Sequence, residues 1–162
     1  MPNDNIIICQ FSEVHMEQIM ELQKSCFQSI YEENIFVYEN FIKVFPDGAW
    51  GVFIEDKLVG HIFFHPYKNK TEKPLNSELK LTGAEDCMYL HEIAVLKEFR
   101  SQGISSILLN KYDEITKQFN MVNQSLVSVE NSFEFWQKKG FSIICKANEN
   151  NYLDGFLMSK QL

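Results

Sequence analysis

The sequence predicts a single mixed α/β domain over residues 1–162, because β-rich runs alternate along the chain with amphipathic helical segments. A chain of 162 residues is long enough to build one hydrophobic core and short for two. Hydrophobic residues make up 45% of the chain and 14 residues are phenylalanine, which is typical of a folded globular protein.

The N-terminal half is expected to hold three strands and two helices. Residues 6–11 are a β-rich run, and Ser12 is a suitable N-cap for a helix whose apolar positions are Val14, Ile19, Leu22 and Phe27. A second helix is predicted over residues 37–44, ending before a Pro-Asp-Gly turn. Residues 50–54 and 58–65 then form a predicted hairpin.

The C-terminal half begins with a polar stretch, residues 68–86, that has no clear period and reads as a long loop. A central strand ending at Val95 follows, and then a helix whose apolar spacing begins at Ile104. We further expect a strand over residues 124–129, a short helix capped by Asn131 or Ser132, and two final strands at 141–145 and 152–158.

Charge and composition exclude several classes of protein. A formal net charge of −7 argues against a general nucleic-acid binder. No apolar run reaches membrane-spanning length, and no basic start followed by a long apolar segment is visible, so we expect a cytoplasmic protein without a membrane contact. The four cysteines have no metal-ligand spacing and are expected to be buried free thiols.

The most informative segment is Arg-x-x-Gly-x-Ser at residues 100–105, which connects the central strand to a helix. The first N–H groups of a helix lack intrahelical partners and carry the positive end of the helix dipole, so this connection predicts a phosphate site. The chain has neither Gly-Lys-Ser/Thr, which a Walker loop requires, nor the Gly-x-Gly-x-x-Gly of a dinucleotide fold. An ordinary tight connection, with Gly103 supplying backbone freedom, is the other interpretation.

This segment, together with the downstream stretch Asn-Ser-Phe-Glu-Phe-Trp-Gln-Lys-Lys-Gly-Phe at residues 131–141, resembles the GNAT N-acetyltransferase superfamily. The resemblance covers essentially the whole chain in the order of its elements. It implies a mostly antiparallel twisted sheet of six to seven strands flanked by about four helices, with a splayed strand pair holding the cofactor. It further implies one N-acetyltransferase domain that uses acetyl-CoA as co-substrate. The sequence leaves both a monomer and a homodimer open.

The resemblance also implies where acetyl-CoA binds. The pyrophosphate would rest on the backbone of Ser101, Gln102, Gly103, Ile104, Ser105 and Ser106, after Arg100. The pantetheine arm would pair with Ile93, Ala94 and Val95. Asn131 is expected to cap the short helix and reach the cofactor. Ser105 stands where the family has Gly or Ala, and its small hydroxyl is compatible with a phosphate.

Three residues of the central strand are candidates for catalysis. His91 is the preferred general base, since imidazole exchanges protons near neutral pH. Tyr89 shares its face by strand alternation and is expected to line the amine site. Glu92 is the second candidate for the base, although alternation directs it to the opposite face unless a bulge intervenes. Buried structural roles are the alternative for both His91 and Glu92.

Trp136 departs from the family, many members of which have a tyrosine there as proposed proton donor to the leaving thiolate. An indole N–H is not a usable acid, so Trp136 is expected to pack against the pantetheine arm or within the core. His61, His65 and His91 invite a metal hypothesis, but acetyl transfer needs no metal and none is predicted.

The sequence therefore predicts acetyl transfer from acetyl-CoA directly to a primary amine of a small molecule or peptide. The amine would enter between the first helices and the 68–86 loop. The alternatives are a non-catalytic acyl-CoA binding module, favoured by Trp136, and transfer of a longer acyl chain into a phenylalanine-lined pocket.

Overall fold

The computed structural model describes residues 5–162 and contains one seven-stranded sheet. The strands are β1 (Ile6–Gln10), β2 (Ala49–Ile54), β3 (Lys57–Tyr67), β4 (Cys87–Val95), β5 (Asn123–Ser128), β6 (Ser142–Lys146) and β7 (Phe156–Gln161). The α-helices are α1 (Met16–Cys26), α2 (Ile35–Val44), α3 (Ile104–Gln118) and α4 (Phe133–Lys138). The expected mixed α/β fold is thereby confirmed.

The strand order is β1-β2-β3-β4-β5-β7-β6, and every neighbouring pair is antiparallel except β4 and β5. The parallel pair arises because α3 carries the chain back across the sheet between these two strands. These two strands pair over only three residues each, so the unpaired backbone groups beyond that point are open to a ligand.

Helices cover both faces of the sheet. Phe63 and Phe64 are consecutive on β3, so their side chains point to opposite faces. Phe63 packs on Tyr38 of α2, whereas Phe64 packs on Tyr112 of α3. Thus α1 and α2 cover one face and α3 the other. Gly60 of β3 allows α3 to approach closely, because a Cβ there would lie 2.8 Å from Cγ2 of Ile104.

A β-bulge interrupts the pairing of β3 with β4. Phe63 pairs with Glu92 and Phe64 with Leu90, so His91 is the extra residue. In such a bulge two consecutive residues oppose one partner, and the alternation of side chains is broken locally. The bulge therefore allows His91 and Glu92, which are consecutive in β4, to lie on the same face of the sheet.

Several predicted boundaries shift. Ser12 precedes a 3₁₀ turn, Glu13–His15, and α1 starts only at Met16, which leaves Val14 exposed and Phe27 beyond the end of α1. The hairpin turn consists of Glu55 and Asp56, both with positive φ, as a tight two-residue turn requires. Ser132, not Asn131, is the N-cap position of α4.

The cysteine prediction is only partly right. All four cysteines are free, but Cys87 alone is buried and Cys145 is exposed. Cys145 lies on β6, which forms one edge of the sheet and has every residue exposed. Within residues 5–162 no helix has the length and apolar character needed to cross a membrane.

Candidate active site

A cleft opens between β4 and β5 because the two strands diverge. They pair only over Met88–Leu90 and Gln124–Leu126, after which both continue without pairing to each other. The cleft has a volume of about 570 Å³, which is the size of a small-molecule site. Its walls come from β4, the loop before α3, the first turn of α3, the end of β5, and α4.

One end of the cleft has the properties of an anion site. Ser101 and Gly103 both have positive φ, and Gly103 is the N-cap position of α3. The first turn of this 15-residue helix contains no acidic residue, so no carboxylate there opposes its positive end. Arg100 lies beside it and donates a hydrogen bond from Nε to the carbonyl of Val95, at 3.0 Å.

The cleft brings together most of the predicted cofactor residues. Its lining includes Ile93, Ala94, Val95, Arg100, Ser101, Ile104, Ser105 and Trp136. Gln102, Gly103, Ser106 and Asn131 are not in the lining. The Gln102 side chain instead donates to the carbonyl of Glu98, and Asn131 is exposed in a turn with positive φ.

The bulge in β4 directs His91 and Glu92 to the same face, the one that α1 and α2 cover. His91 packs on Phe41 of α2, while Glu92 contacts Tyr38 of the same helix. Glu92 was expected on the opposite face unless a bulge intervened, and the extra residue in β4 is the reason that it is not. Both residues belong to the lining of the cleft.

Glu92 is held by two buried partners. Its Oε1 lies 2.9 Å from the hydroxyl of Tyr38, and its Oε2 pairs with Nε2 of His61. Burial and the nearby carboxylates, Glu92 foremost, raise the pKa of Tyr38 well above its usual range, so its hydroxyl keeps its proton. Both oxygens of Glu92 are therefore engaged within the protein.

His91 pairs through Nε2 with Oε1 of Glu33, which lies in the loop between α1 and α2. The side chains of both residues are 1% exposed. Burial alone would raise the pKa of Glu33, but His91, the backbone N–H of Asn76 and Lys73 together hold it below its usual value. This buried hydrogen-bonded pair joins the central strand to the loop.

Tyr89 does not line the cleft. It is 1% exposed, its ring packs beside His65 and His91, and its hydroxyl oxygen accepts a hydrogen bond from the backbone N–H of Lys73. Burial lowers the pKa of Lys73 to about 8, although Glu33 opposes this shift. Tyr89 thus packs beside His91 outside the lining of the cleft, and its hydroxyl is fixed by the backbone of Lys73.

Three loops meet at the end of the cleft next to Glu33. Tyr31, Leu75 and Tyr152 come from the loops after α1, β3 and β6, and all three line the cleft. The hydroxyl of Tyr31 hydrogen-bonds to Asp154, and that of Tyr152 donates to the carbonyl of Lys73 at 2.6 Å. Tyr31 and Tyr152 belong to a small apolar cluster of their own. These contacts connect the three loops directly.

Trp136 is 5% exposed and packs edge-on against Phe135 and Phe141. It is a buried aromatic residue at the wall of the cleft, so both expected roles, core packing and contact with a ligand in the cleft, fit its position. Among the described residues no group of three potential ligands has metal-binding geometry, and His61, His65 and His91 form no such group.

Sequence reasoning missed Glu33, Lys73, Tyr31 and Tyr152. Glu33 precedes the N-cap residue of α2 within Tyr-Glu-Glu-Asn, which looks like a solvated turn. Lys73 and Tyr152 lie in polar stretches of the kind that usually face solvent. No local signal identifies them, because their burial depends on loops that are far apart in the sequence.

A comparison of the sequence with protein families identifies the family of this chain. The sequence profile of the Acetyltransferase (GNAT) family matches residues 16–141. A search of curated protein sequences returned no significant match.

Solved structures resemble the whole chain. The loading GNATL domain of CurA from Lyngbya majuscula has a TM-score of 0.80 and 16% identity, with 98% of each chain covered. Arabidopsis thaliana Naa50, in complex with the bisubstrate analogue CoA-Ac-MVNAL, has a TM-score of 0.76 and 22% identity, covering 97% of this chain and 99% of that one. The GphF GNAT-like decarboxylase, in complex with isobutyryl-CoA, has a TM-score of 0.75 and 13% identity, covering 96% and 98%. At these identities the similarity shows a common fold.

Proposed function

The chain belongs to the acetyltransferase (GNAT) family, and we propose that it transfers the acetyl group of acetyl-CoA directly to a primary amine of a small molecule or peptide. The observation that carries the proposal is the cleft between β4 and β5, which has a helix start suited to an anion at one end and His91 with Glu92 farther along β4. On this proposal residues 1–162 form a single N-acetyltransferase domain.

The cleft fits acetyl-CoA in two respects. The helix start after Arg100 offers unpaired N–H groups and no opposing carboxylate, which suits a pyrophosphate. The edge of β4 beyond Leu90 faces the cleft without a partner strand, which leaves backbone groups for the amides of the pantetheine arm. Ile93, Ala94 and Val95 would hold that arm, and Trp136 would pack against it.

Acetyl-CoA supplies an activated thioester carbonyl, so the protein needs no covalent nucleophile. Its residues have to hold the amine in attack geometry, exclude water and accept one amine proton. We assign the proton to His91, because both oxygens of Glu92 are already engaged by Tyr38 and His61. Tyr89 supports the His91 ring from beneath. The CoA thiolate takes its proton from solvent, since Trp136 is not an acid.

The acceptor amine would approach from the end lined by Tyr31, Leu75 and Tyr152. This end lies beside Glu33 and His91, so a bound amine there is close to the assigned base. Hydrogen bonds from Tyr31 to Asp154 and from Tyr152 to Lys73 join the three loops. An acceptor too long for the cleft would have to displace these hydrogen bonds.

A substrate panel tests the proposal. The purified protein is incubated with acetyl-, butyryl- or hexanoyl-CoA and with small primary amines or short peptides, and release of CoA thiol and the product mass are measured. Peptides whose N-terminus is already acetylated are the matched control. We expect CoA release and a product heavier by one acetyl group with acetyl-CoA and a free amine.

The same panel separates the alternatives. Faster turnover of the longer acyl-CoAs would indicate transfer of a longer chain. Tight acetyl-CoA binding without turnover of any amine would indicate a binding module. Either result would replace the proposed reaction.

A further inference from the structure

The two ring nitrogens of His91 have different surroundings. Nε2 pairs with Glu33, whereas Nδ1 is buried and has no hydrogen-bond partner among the described residues. A buried polar atom without a partner is rare in native proteins, and a catalytic role is one of the explanations for such an atom. This difference decides which nitrogen carries the proton when the ring is neutral.

Glu33 is fixed at both its backbone and its carboxylate. The side chain of Gln23 makes two hydrogen bonds with the backbone of Glu33: it donates to the carbonyl at 3.0 Å and accepts from the N–H. Oε2 of Glu33 accepts from the backbone N–H of Asn76 at 2.8 Å, and Oε1 faces His91. Residues on α1 and in the 68–86 loop therefore aim this carboxylate at Nε2.

An ionised carboxylate can only accept hydrogen bonds, so Nε2 of His91 has to be the donor. The neutral ring then has its proton on Nε2 and its lone pair on Nδ1. The partner of one ring nitrogen sets the protonation of the other, as is usual for histidine. The unpartnered atom is thus the basic one.

The other groups around the ring do not compete for this role. Phe41 of α2 packs edge-on against His91, and Tyr89 of β4 stays protonated because burial raises its pKa. Burial and His91 lower the pKa of His65 on β3 well below its usual range, so it is neutral, and its Nδ1 bonds to the carbonyl of Pro66. The cation of Lys73 is held by Ser77.

We propose that Glu33 is a positioning residue, which accepts the Nε2–H hydrogen bond of His91 and so makes Nδ1 the atom that takes the proton of the acceptor amine. The inference rests on the proposed function. As the amine nitrogen bonds to the carbonyl carbon and the C–S bond breaks, the amine proton passes to Nδ1. The resulting imidazolium is paired with the Glu33 carboxylate and afterwards releases the proton to solvent, which supplies the one that the thiolate takes up.

The test combines NMR with kinetics on the full chain. Two-bond ¹H–¹⁵N spectra of ligand-free protein with ¹⁵N-labelled histidine report the tautomer of His91, assigned by its loss in His91→Ala. We expect a proton on Nε2 in the wild type. In Glu33→Gln the amide oxygen can keep the Asn76 contact while its NH₂ donates to Nε2, which moves the ring proton to Nδ1.

The kinetic consequence follows from the tautomer. In serine proteases an amide in place of the orienting carboxylate imposes the wrong tautomer and lowers kcat about 10⁴-fold. We expect Glu33→Gln to lower kcat at least about 100-fold with an unchanged KM for acetyl-CoA. Glu32→Gln removes the same charge one residue earlier, where the side chain has no hydrogen bond to His91, and is expected to behave as wild type.

Each outcome is decisive. A proton on Nδ1 in the wild type, or an unchanged tautomer with normal kcat in Glu33→Gln, overturns the proposal. If Glu33→Gln fails to fold, the wild-type spectrum still decides the tautomer, and Glu33→Asp decides the kinetic part, with full kcat counting against a positioning role. If no amine is acetylated, or if His91→Ala keeps full activity, the proposed function fails, whereas the spectra separately report whether Glu33 orients the ring.

Discussion

Replacing Gly103 with valine tests the anion site directly. Gly103 has φ +83° and ψ 3°, a left-handed conformation that costs an L-residue about 1–2 kcal/mol and is worse for a β-branched one. A Cβ at Gly103 meets no atom within 4 Å, so the substitution causes no clash with the protein. Relief of the strain rotates the peptide groups that start α3 and withdraws N–H donors from the ligand.

The expected loss of affinity follows from those donors. A hydrogen bond to a charged group contributes about 1.5–3 kcal/mol, and each 1.4 kcal/mol is a factor of ten in Kd. Loss of one such bond should therefore weaken acetyl-CoA binding by about tenfold to a hundredfold or somewhat more. Isothermal titration calorimetry measures this change.

Gly83→Val is the matched control. Gly83 has φ +88°, also has open space around its Cβ position, and lies in the 68–86 loop, outside the lining of the cleft. Both variants carry similar backbone strain, so both should lower Tm by roughly 2–8 °C. Only Gly103→Val should lose affinity for acetyl-CoA. Wild-type affinity in Gly103→Val, at a comparable fall in Tm, would refute the anion-site assignment.

Three further predictions concern the other end of the cleft and its walls. His91→Ala should lower kcat by about 10²–10⁴ in steady-state assays while calorimetry gives an unchanged Kd for acetyl-CoA; normal turnover would exclude His91 as the base. Trp136→Tyr should keep the fold and the affinity for acetyl-CoA, because Trp136 packs against aromatic rings, and a large loss of turnover at an unchanged Tm would show that the indole itself is needed. The free energy of unfolding should rise between about pH 8 and 10.4, because the pKa of Lys73 is about 8 in the folded state and about 10.4 when unfolded, so the unfolded chain holds more protons. Lys73→Met should lose this rise in urea titrations, and an equal rise in both proteins would contradict it.

The sequence is informative where function depends on consecutive residues. The turn before α3 has a positive φ at Gly103, and the glycine that favours this conformation is visible in Arg-x-x-Gly-x-Ser. The helices and strands were predictable because apolar spacing is a local property. Their boundaries moved by a few residues, as at Ser12, where a 3₁₀ turn intervenes before α1.

The facing of side chains in β4 was not predictable. Simple alternation places His91 and Glu92 on opposite faces of the sheet. Only the pairing of β4 with β3 reveals the extra residue that places both on one face. Cys145 shows the same limit: its segment looks like a buried strand, but it forms an edge of the sheet. Which strand lies at an edge depends on the order of strands and not on local composition.

By itself, the sequence determined the mixed α/β architecture, the Arg-x-x-Gly-x-Ser loop before α3 and the resemblance to the GNAT family. Tertiary structure alone decided that Glu33, from a loop 58 residues away along the chain, pairs with His91. The physical reason is that a carboxylate in a polar turn has no local signature of burial. Its charge is stabilised only where His91, the N–H of Asn76 and Lys73 meet, and Gln23 fixes the backbone that carries it.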